Sequence, residues 1–149
     1  MNTHRASIHW QRTSQDFAYD SYNRAHEIAF KDGQIRLAAS AAPAFKGDAE
    51  RIDPEEIFVA SLSSCHMLSF LAICARRRIV VDNYDDAAEG YLEKGAGGKF
   101  WISRVTLRPR VHFSTEVSQS VLAELHRHAH EECFIANSVK TTVAVEAQA

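Results

Sequence analysis

The fold is decided by a helix that begins in the stretch Asp53-Pro54-Glu55-Glu56-Ile57-Phe58-Val59-Ala60-Ser61-Leu62-Ser63-Ser64-Cys65-His66. Asp53 is a favoured N-cap residue, Pro54 suits the first helical position, and two carboxylates follow in the first turn, where the helix dipole favours negative charge. Three consecutive arginines lie at Arg76–Arg78, where the carbonyl end of a helix favours cations. This pattern predicts one long helix from about Pro54 to Arg78.

Strands are predicted on both sides of this helix. The tripeptide Lys31-Asp32-Gly33 separates two of them, and its glycine permits the positive φ of a tight turn. The glycine-rich segment 94–99 is predicted as a hairpin tip, because strand-like rather than helical sequence follows it. A second helix is predicted over about Glu116–Glu132, so the fold class is α+β. The predicted strands are Ser7–Gln11, His26–Phe30, Gln34–Ala38, Ala87–Glu93, Phe100–Phe113 and Val139–Val145.

The composition is that of one ordinary globular domain, which we expect to span residues 1–149. Of the 149 residues, 46% are hydrophobic, and the formal net charge is −2. No internal repeat, low-complexity tract or linker divides the sequence. Because contacts to phosphates require clustered lysine and arginine, the absence of a basic excess excludes a nucleic-acid partner from our expectations.

No membrane span is expected either. The longest apolar-rich stretch, Ile57–Ile73, is interrupted by four serines and a histidine. It falls short of the roughly 18 to 20 lipid-compatible residues of a spanning helix, so we predict a buried helix. The first residues of the chain lack the apolar core of a secretory signal, which indicates a reducing, cytoplasmic location in which the cysteines are thiols.

The three cysteines are the best candidates for carrying chemistry. Cys65 lies in the middle of the first predicted helix, on a face that is mostly apolar. Cys74 lies on the opposite face, about 13 Å further along the axis, so it cannot pair with Cys65. Cys133 follows the second helix at a helix-to-loop junction, from which it can approach Cys65. The alternative is that all three are core residues, since free cysteine is among the most buried residue types.

The stretch 53–66 resembles the first-cysteine helix of the OsmC/Ohr family, named after osmotically inducible protein C and the organic hydroperoxide resistance protein. A Pro-Glu opening ten residues before a helical cysteine is the signature of that family. The resemblance extends to His130-Glu131-Glu132-Cys133, to Asn137-Ser138 ahead of the final strand, and to Arg24 ahead of a strand-turn-strand. Phe134 stands where many members of the family carry proline.

The resemblance implies an intertwined homodimer in which antiparallel sheets wrap around long central helices. It also implies a cysteine peroxidase that reduces organic hydroperoxides to alcohols without a metal or an organic cofactor. In that family the residue matching Cys65 attacks the peroxide and becomes a sulfenic acid. The residue matching Cys133 then condenses with it to a disulfide, which an external dithiol reduces.

The resemblance also implies a cation beside Cys65. A cysteine in mid-helix gains nothing from the helix dipole, so a positive charge has to be supplied to hold it as a thiolate. The matching residue is Arg24, and Glu55 matches the glutamate that holds this arginine. Glu55 lies about 15 Å of helical rise from Cys65. We therefore expect Arg24 and Glu55 to approach Cys65 across a twofold axis, which makes dimerisation a requirement for activity.

A substrate pocket is expected around Cys65. Phe58 and Leu62 lie on the same helix face, and Tyr22 flanks Arg24 in the sequence. These apolar and aromatic side chains suit a hydroperoxide with a carbon tail better than hydrogen peroxide.

Three alternatives compete with this interpretation. His126, His130 and Cys133 share a helix face and could bind Zn²⁺, although a resolving thiol cannot also be a closed metal ligand. The second alternative is a Cys/His hydrolase in which His66 is the general base for Cys65. Adjacent helical residues diverge by about 100°, so His66 is a poor base for its neighbour, and we predict a core or rim histidine. The last alternative is a non-enzymatic protein of the same fold, whose pocket binds a small hydrophobic ligand or senses oxidation without turnover.

Overall fold

The computed structural model describes residues 1–148, and within them it contains two α-helices and eight β-strands. The fold is α+β, as the sequence predicts. The strands form three small sheets, in which all pairings but one are antiparallel. In chain order the elements are β1 (Ser7–His9), β2 (His26–Phe30), β3 (Ile35–Ala39), α1 (Pro54–Arg76), β4 (Val81–Asp86), β5 (Glu89–Lys94), β6 (Phe100–Leu107), β7 (Pro109–Phe113), α2 (Gln119–Glu132) and β8 (Thr142–Val145).

The chain divides into two compact units, Met1–Ile57 and a second that begins at Phe58. The first unit holds one antiparallel sheet in the order β1-β2-β3, with Ile28 of the central strand opposite Ile8 on one side and Leu37 on the other. The turn between β2 and β3 has φ values of 51°, 53° and 87° at residues 31–33. The turn lies where the sequence predicts it, and its glycine adopts a positive φ without steric cost. The single-domain organisation stays a prediction.

Helix α1 begins with a capping box, in which two residues satisfy each other's backbone groups. The Glu56 N–H donates to Asp53 Oδ1 at 2.8 Å, and the Asp53 N–H donates to Glu56 Oε2 at 3.0 Å. The helix ends at Arg76, two residues before the predicted end. The reason is that Arg78 adopts a left-handed φ of 59°, and the Ile79 N–H then closes the helix on the Cys74 carbonyl at 2.9 Å.

The second unit contains the pair β4–β7 and a sheet in the order β5-β6-β8, where β8 runs parallel to β6. The predicted strand Phe100–Phe113 is wrong as one strand, since β6 and β7 belong to different sheets. The break falls at Arg108, whose N–H donates to the Asp86 carboxylate at 2.6 Å and which precedes a proline. Strand β4 was not predicted, because a register shift after Val81 disturbs its alternation.

The remaining element boundaries differ by a few residues from the predicted ones. Helix α2 begins at Gln119 rather than Glu116, because Ser118 is its N-cap and its Oγ accepts from the Val121 N–H at 3.3 Å. Strand β8 begins at Thr142 rather than Val139, because its pairing with β6 starts at Thr142, opposite Arg104. Strand β5 begins at Glu89, two residues after the predicted start.

Within the second unit α1 packs into two hydrophobic clusters. The C-terminal half of α1 and α2 share the first cluster, around the fully buried Phe70 and Leu125. The N-terminal half packs against the β5-β6-β8 sheet through Leu62, which is also fully buried. Gly90 permits this approach, since a Cβ there would lie 2.5 Å from the Val59 side chain.

Helix α1 is long and apolar enough to cross a membrane by length and composition alone, a test that core helices of soluble proteins also pass. Only 28% of its most apolar window is buried inside the chain. Leu68, in the middle of the helix, is 60% exposed. Much of the apolar surface of α1 is therefore left uncovered by the chain itself.

Candidate active site around two facing thiols

The structure brings together two of the three cysteines, both in the second unit. The side chain of Cys133, at the C-terminal cap of α2, lies beside that of Cys65, in the middle of α1, close enough for the two thiols to interact. Both are free thiols, and Cys65 is partly exposed whereas Cys133 is 1% exposed. Cys74 is buried in the cluster around Phe70 and takes no part in this contact. The second helix therefore ends with its thiol directed at the first helix.

Cys133 is held in place by the turn that follows α2. Its N–H donates to the His130 carbonyl at 3.3 Å, and its own carbonyl accepts from the Asn137 N–H at 3.0 Å. The Ala136 N–H donates to the Cys133 sulfur at 3.4 Å. The turn forms with Phe134 in place of proline, and the Phe134 ring is 81% exposed.

The environment of Cys133 keeps this thiol protonated. Burial, followed by the hydrogen bond to Cys65, raises the pKa of Cys133 to about 11. At neutral pH Cys133 therefore remains a thiol, and its S–H can donate to the sulfur of Cys65. Of the two cysteines, Cys65 is therefore the more accessible one, and Cys133 is the buried, protonated one.

The expected pocket residues on α1 lie in the second unit beside the β5-β6-β8 sheet. Leu62 is fully buried and Phe58 is partly buried in the same cluster, which also contains Ile135 and Ala136 from the turn after Cys133. Apolar contacts thus join the helix that carries Cys65 to the turn that follows Cys133. Leu68, three residues after Cys65 on α1, lies outside this cluster and is exposed.

Arg24 lies in the first unit and is held by its own loop. Its Nη1 donates to the Tyr22 carbonyl at 2.6 Å, and its Nη2 donates to the Tyr19 carbonyl. The guanidinium also stacks over the Tyr22 ring at 3.7 Å. Arg24 and Tyr22 line an aromatic groove of about 440 Å³ in this unit, together with Ile8, Trp10, Phe17, His26, Ser40, Ala41 and Pro54.

Glu55, the second residue of α1, is partly exposed. No ion pair joins Glu55 to Arg24 among residues 1–148. Their approach to each other and to Cys65 stays a prediction.

A buried pair of histidines joins α1 to α2. His66 Nε2 lies 3.0 Å from His126 Nδ1, and the two residues are 1% and 4% exposed. Burial is the main cause that lowers the pKa of each to about 4, so both are neutral at physiological pH. The burial of His66 agrees with the prediction of a core or rim histidine, whereas its pairing with His126 is not predicted from the sequence. A signal was present, because each histidine lies in a helix beside apolar core positions and a buried imidazole needs a partner.

The metal-binding alternative does not match the observed contacts. Within residues 1–148 no group of three or more His, Cys, Asp or Glu side chains is arranged to hold a metal ion. His126 is bonded to His66, and Cys133 contacts Cys65 instead of joining His130.

Comparison with known proteins gives a consistent family assignment. The family model of OsmC-like proteins matches residues 47–148. An OsmC-like protein of unknown function from Vibrio cholerae is 43% identical, with a TM-score of 0.93, and the match covers 99% of this chain and 100% of that one. Among curated protein sequences, none matches this chain.

More distant solved structures share the fold. An organic hydroperoxide resistance protein OsmC from Legionella pneumophila has a TM-score of 0.73 at 19% identity, with 99% of this chain and 96% of that chain covered. The organic hydroperoxide resistance protein OhrB of Bacillus subtilis has a TM-score of 0.73 at 20% identity, with 99% and 98% covered.

Proposed function

The chain belongs to the family of OsmC-like proteins, and from its facing thiols we propose that it is a peroxidase that reduces organic hydroperoxides through Cys65 and Cys133. The observation that carries this proposal is the contact between the two thiols, one of which is buried and protonated. Relatives of the same fold from Legionella pneumophila and Bacillus subtilis are described as organic hydroperoxide resistance proteins, which supports the choice of substrate.

The proposed cycle consumes one hydroperoxide and one dithiol. The Cys65 thiolate attacks the terminal peroxide oxygen, the O–O bond breaks, and the departing alkoxide takes a proton to become the alcohol. Cys65 is left as a sulfenic acid, and the Cys133 sulfur attacks it, releasing water and forming a disulfide. An external dithiol then reduces the disulfide by thiol-disulfide exchange, which restores both thiols. We place this cycle in the cytoplasm, where such dithiols are available.

The order of the two thiols follows from their environments. Because the pKa of Cys133 is raised to about 11, it stays protonated and unreactive while Cys65 meets the peroxide. Once Cys65 is a sulfenic acid, Cys133 already lies beside it, so the condensation needs little movement of the turn after α2. Sulfenic acid that condenses at once is protected from further oxidation.

We further propose that the active form is a homodimer. The exposed apolar face of α1, including Leu68, needs a cover, and a second copy of the same helix supplies an apolar one. Arg24, held by Glu55, would then stabilise the Cys65 thiolate of the opposite subunit and the charge that develops on the departing oxygen. Phe58 and Tyr22 would contact the carbon tail of the hydroperoxide, whereas the fully buried Leu62 would support Phe58 from the core.

The test is steady-state consumption of a hydroperoxide such as cumene hydroperoxide with a dithiol reductant. Cys65→Ser should abolish turnover. Cys133→Ser should consume one equivalent of peroxide and stop with an oxidised Cys65. Cys74→Ala, which changes the third cysteine, is the matched control and should keep wild-type turnover. Equal activity of the Cys65 and Cys133 variants would refute the assignment.

The second candidate function is non-enzymatic, and the aromatic groove of about 440 Å³ in the first unit favours it. In that case the protein binds a small hydrophobic molecule or senses oxidation. Wild-type protein that forms the Cys65–Cys133 disulfide with peroxide but shows no catalytic turnover with a dithiol would support this candidate over the peroxidase.

A further inference from the structure

We propose that His66 and His126 are positioning residues, whose buried hydrogen bond holds the two thiol-bearing helices in register and thereby sets how readily Cys65 and Cys133 form a disulfide. The inference rests on the proposed roles of the two thiols. It does not depend on which oxidant they meet. We call this pair the histidine clamp.

The clamp is a directed contact inside the core. His66 belongs to α1 and His126 to α2, with 3.0 Å between Nε2 of the first and Nδ1 of the second. The rings are nearly parallel, at an interplanar angle of 9°, and Phe70 stacks on His126 with ring centres 4.4 Å apart. A hydrogen bond of this geometry fixes both the rotation of each helix and its position along its axis, which apolar packing alone specifies less sharply.

Each half of the clamp is rigidly connected to one thiol. His66 directly follows Cys65, so their Cα atoms are about 3.8 Å apart. His126 lies seven residues before Cys133, which is about two helical turns. Helix α2 is continuous between them, and the His130 carbonyl at its end accepts from the Cys133 N–H. A shift of one helix against the other at the clamp would therefore separate the two sulfurs.

The contact requires at least one neutral ring. One nitrogen has to donate and the other has to accept, whereas two imidazolium ions can only donate. Burial is the main reason that both rings are neutral, and His130 acts in the same direction on His66, whereas the Asp86 carboxylate favours a charge on His126. His130 of α2 and Asp86 of β4 are the charged or titratable groups that act on the pair, and the remaining ring nitrogens, His66 Nδ1 and His126 Nε2, are buried without a protein hydrogen-bond partner among residues 1–148.

The other polar links between α1 and α2 are of a different kind. Arg77 pairs with Glu124 at 3.0 Å and Arg76 with Glu132 at 3.5 Å, and all four side chains are at least 37% exposed. Exposed ion pairs hold geometry weakly, because water and salt screen them. They also lie at the end of α1, about 16 Å or more of helical rise from Cys65. The histidine clamp is the link that is both buried and adjacent to a thiol.

The experiment measures the disulfide equilibrium of the full chain in glutathione buffers. In this exchange two protein thiols are oxidised to one disulfide while one glutathione disulfide is reduced to two thiols. Two amides at position 126 provide a matched pair. His126→Asn keeps a polar atom at the place of Nδ1, whereas His126→Gln moves it to the place of Nε2 and breaks the contact. Arg77→Leu, which removes an exposed link between the same helices, is the control.

We expect His126→Gln to lower the equilibrium constant for the Cys65–Cys133 disulfide by about tenfold. His126→Asn and Arg77→Leu should stay within about threefold of wild type. A folded His126→Gln protein with the wild-type constant, or an Asn variant as impaired as the Gln variant, would overturn the proposal. If His126→Gln does not fold, His66→Gln, which retains an atom at Nε2, must match wild type while His66→Leu must not.

This titration separates the clamp from the proposed function. No peroxide enters it, so wild-type protein without peroxidase turnover would refute the enzyme but leave the effect of position 126 measurable. A wild-type constant in His126→Gln would refute the clamp and leave the peroxidase intact.

Discussion

In the second unit Cys133 is held by its own turn and by Cys65 before any substrate arrives, whereas in the first unit Arg24 uses its donors on the carbonyls of its own loop. One chain thus assembles the thiol pair from its own core. Arg24, the predicted cation of the site, forms no ion pair with Glu55 among the described residues, and the acidic group that interacts with it is Asp20. The contrast shows that the contact between the two cysteines forms within one chain, whereas the approach of Arg24 to Cys65 stays a proposal that depends on a second subunit.

The strongest test of this contrast mixes two inactive variants. Arg24→Ala should lower kcat/KM for an organic hydroperoxide by about 10² to 10³, because a preorganised donor at the departing oxygen is removed. Cys65→Ser should be inactive. If the site forms across subunits, refolding the two variants together restores activity, since each mixed dimer contains one intact Cys65 facing one intact Arg24.

The mixing experiment has an unambiguous negative outcome. If Arg24 serves the Cys65 of its own chain, no mixed dimer has a complete site and activity stays at the level of the separate variants. A mixture of Arg24→Ala with Glu55→Gln, whose changes would fall in the same half of the site, is the control.

The second prediction concerns the cover of α1. Leu68 is 60% exposed on the helix that carries Cys65, so Leu68→Asp should place a charge in the proposed dimer interface and convert the protein to a monomer. Light scattering coupled to size-exclusion chromatography measures the mass. Leu68→Ala, which stays apolar, should remain dimeric. An Asp variant with the mass of a dimer would show that this face is not the interface.

The same contrast separates what the sequence could predict from what it could not. The start of α1 was predictable, because Asp53, Pro54 and Glu56 act through the backbone next to them. The strand β4 was not, since its pattern is broken by a register shift that depends on pairing with β7. A helix start can be predicted from neighbouring residues, whereas a strand whose register depends on pairing with a distant strand cannot.

The site shows the same division. Cys65 and Cys133 could be singled out from their places in the two helices, and their contact in the structure agrees with a shared role. The bond from His66 to His126 spans 60 residues, so its register depends on how the two helices cross and no local pattern specifies it. Arg24 and Glu55 were chosen by resemblance, and their roles stay predictions.

The third prediction tests how far the second unit depends on neutral histidines. Burial lowers the pKa of His66 and of His126 to about 4 in the folded protein, against about 6.5 in the unfolded chain. Above pH 6.5 both histidines are neutral in the folded protein and in the unfolded chain, so they cause no loss of stability. As the pH falls from 6.5 to 4, the unfolded chain binds protons that the folded protein refuses, so stability declines by at most about 3 kcal/mol for each histidine.

Urea denaturation at a series of pH values measures this loss. The variant His126→Asn should show a shallower decline than wild type, because one of the two titrating groups is gone. His9→Asn, which removes an exposed histidine of β1, should leave the decline unchanged. A pH-independent wild-type stability between pH 6.5 and 4.5 would mean that the pair is not buried and neutral as described.

The smallest expected effect comes from the start of α1, in the first unit. Asp53→Ala removes the side chain that accepts from the Glu56 N–H, which should cost about 1 kcal/mol of unfolding free energy in urea. The cap lies twelve residues before Cys65, whereas the histidine clamp lies next to it. We therefore expect the disulfide equilibrium of Asp53→Ala in glutathione buffers to equal that of wild type. The Asp53→Asn variant should match wild type in both the disulfide equilibrium and the free energy of unfolding. A loss of disulfide formation in Asp53→Ala would show that the thiol pair depends on the first unit, and that the two regions are not assembled independently.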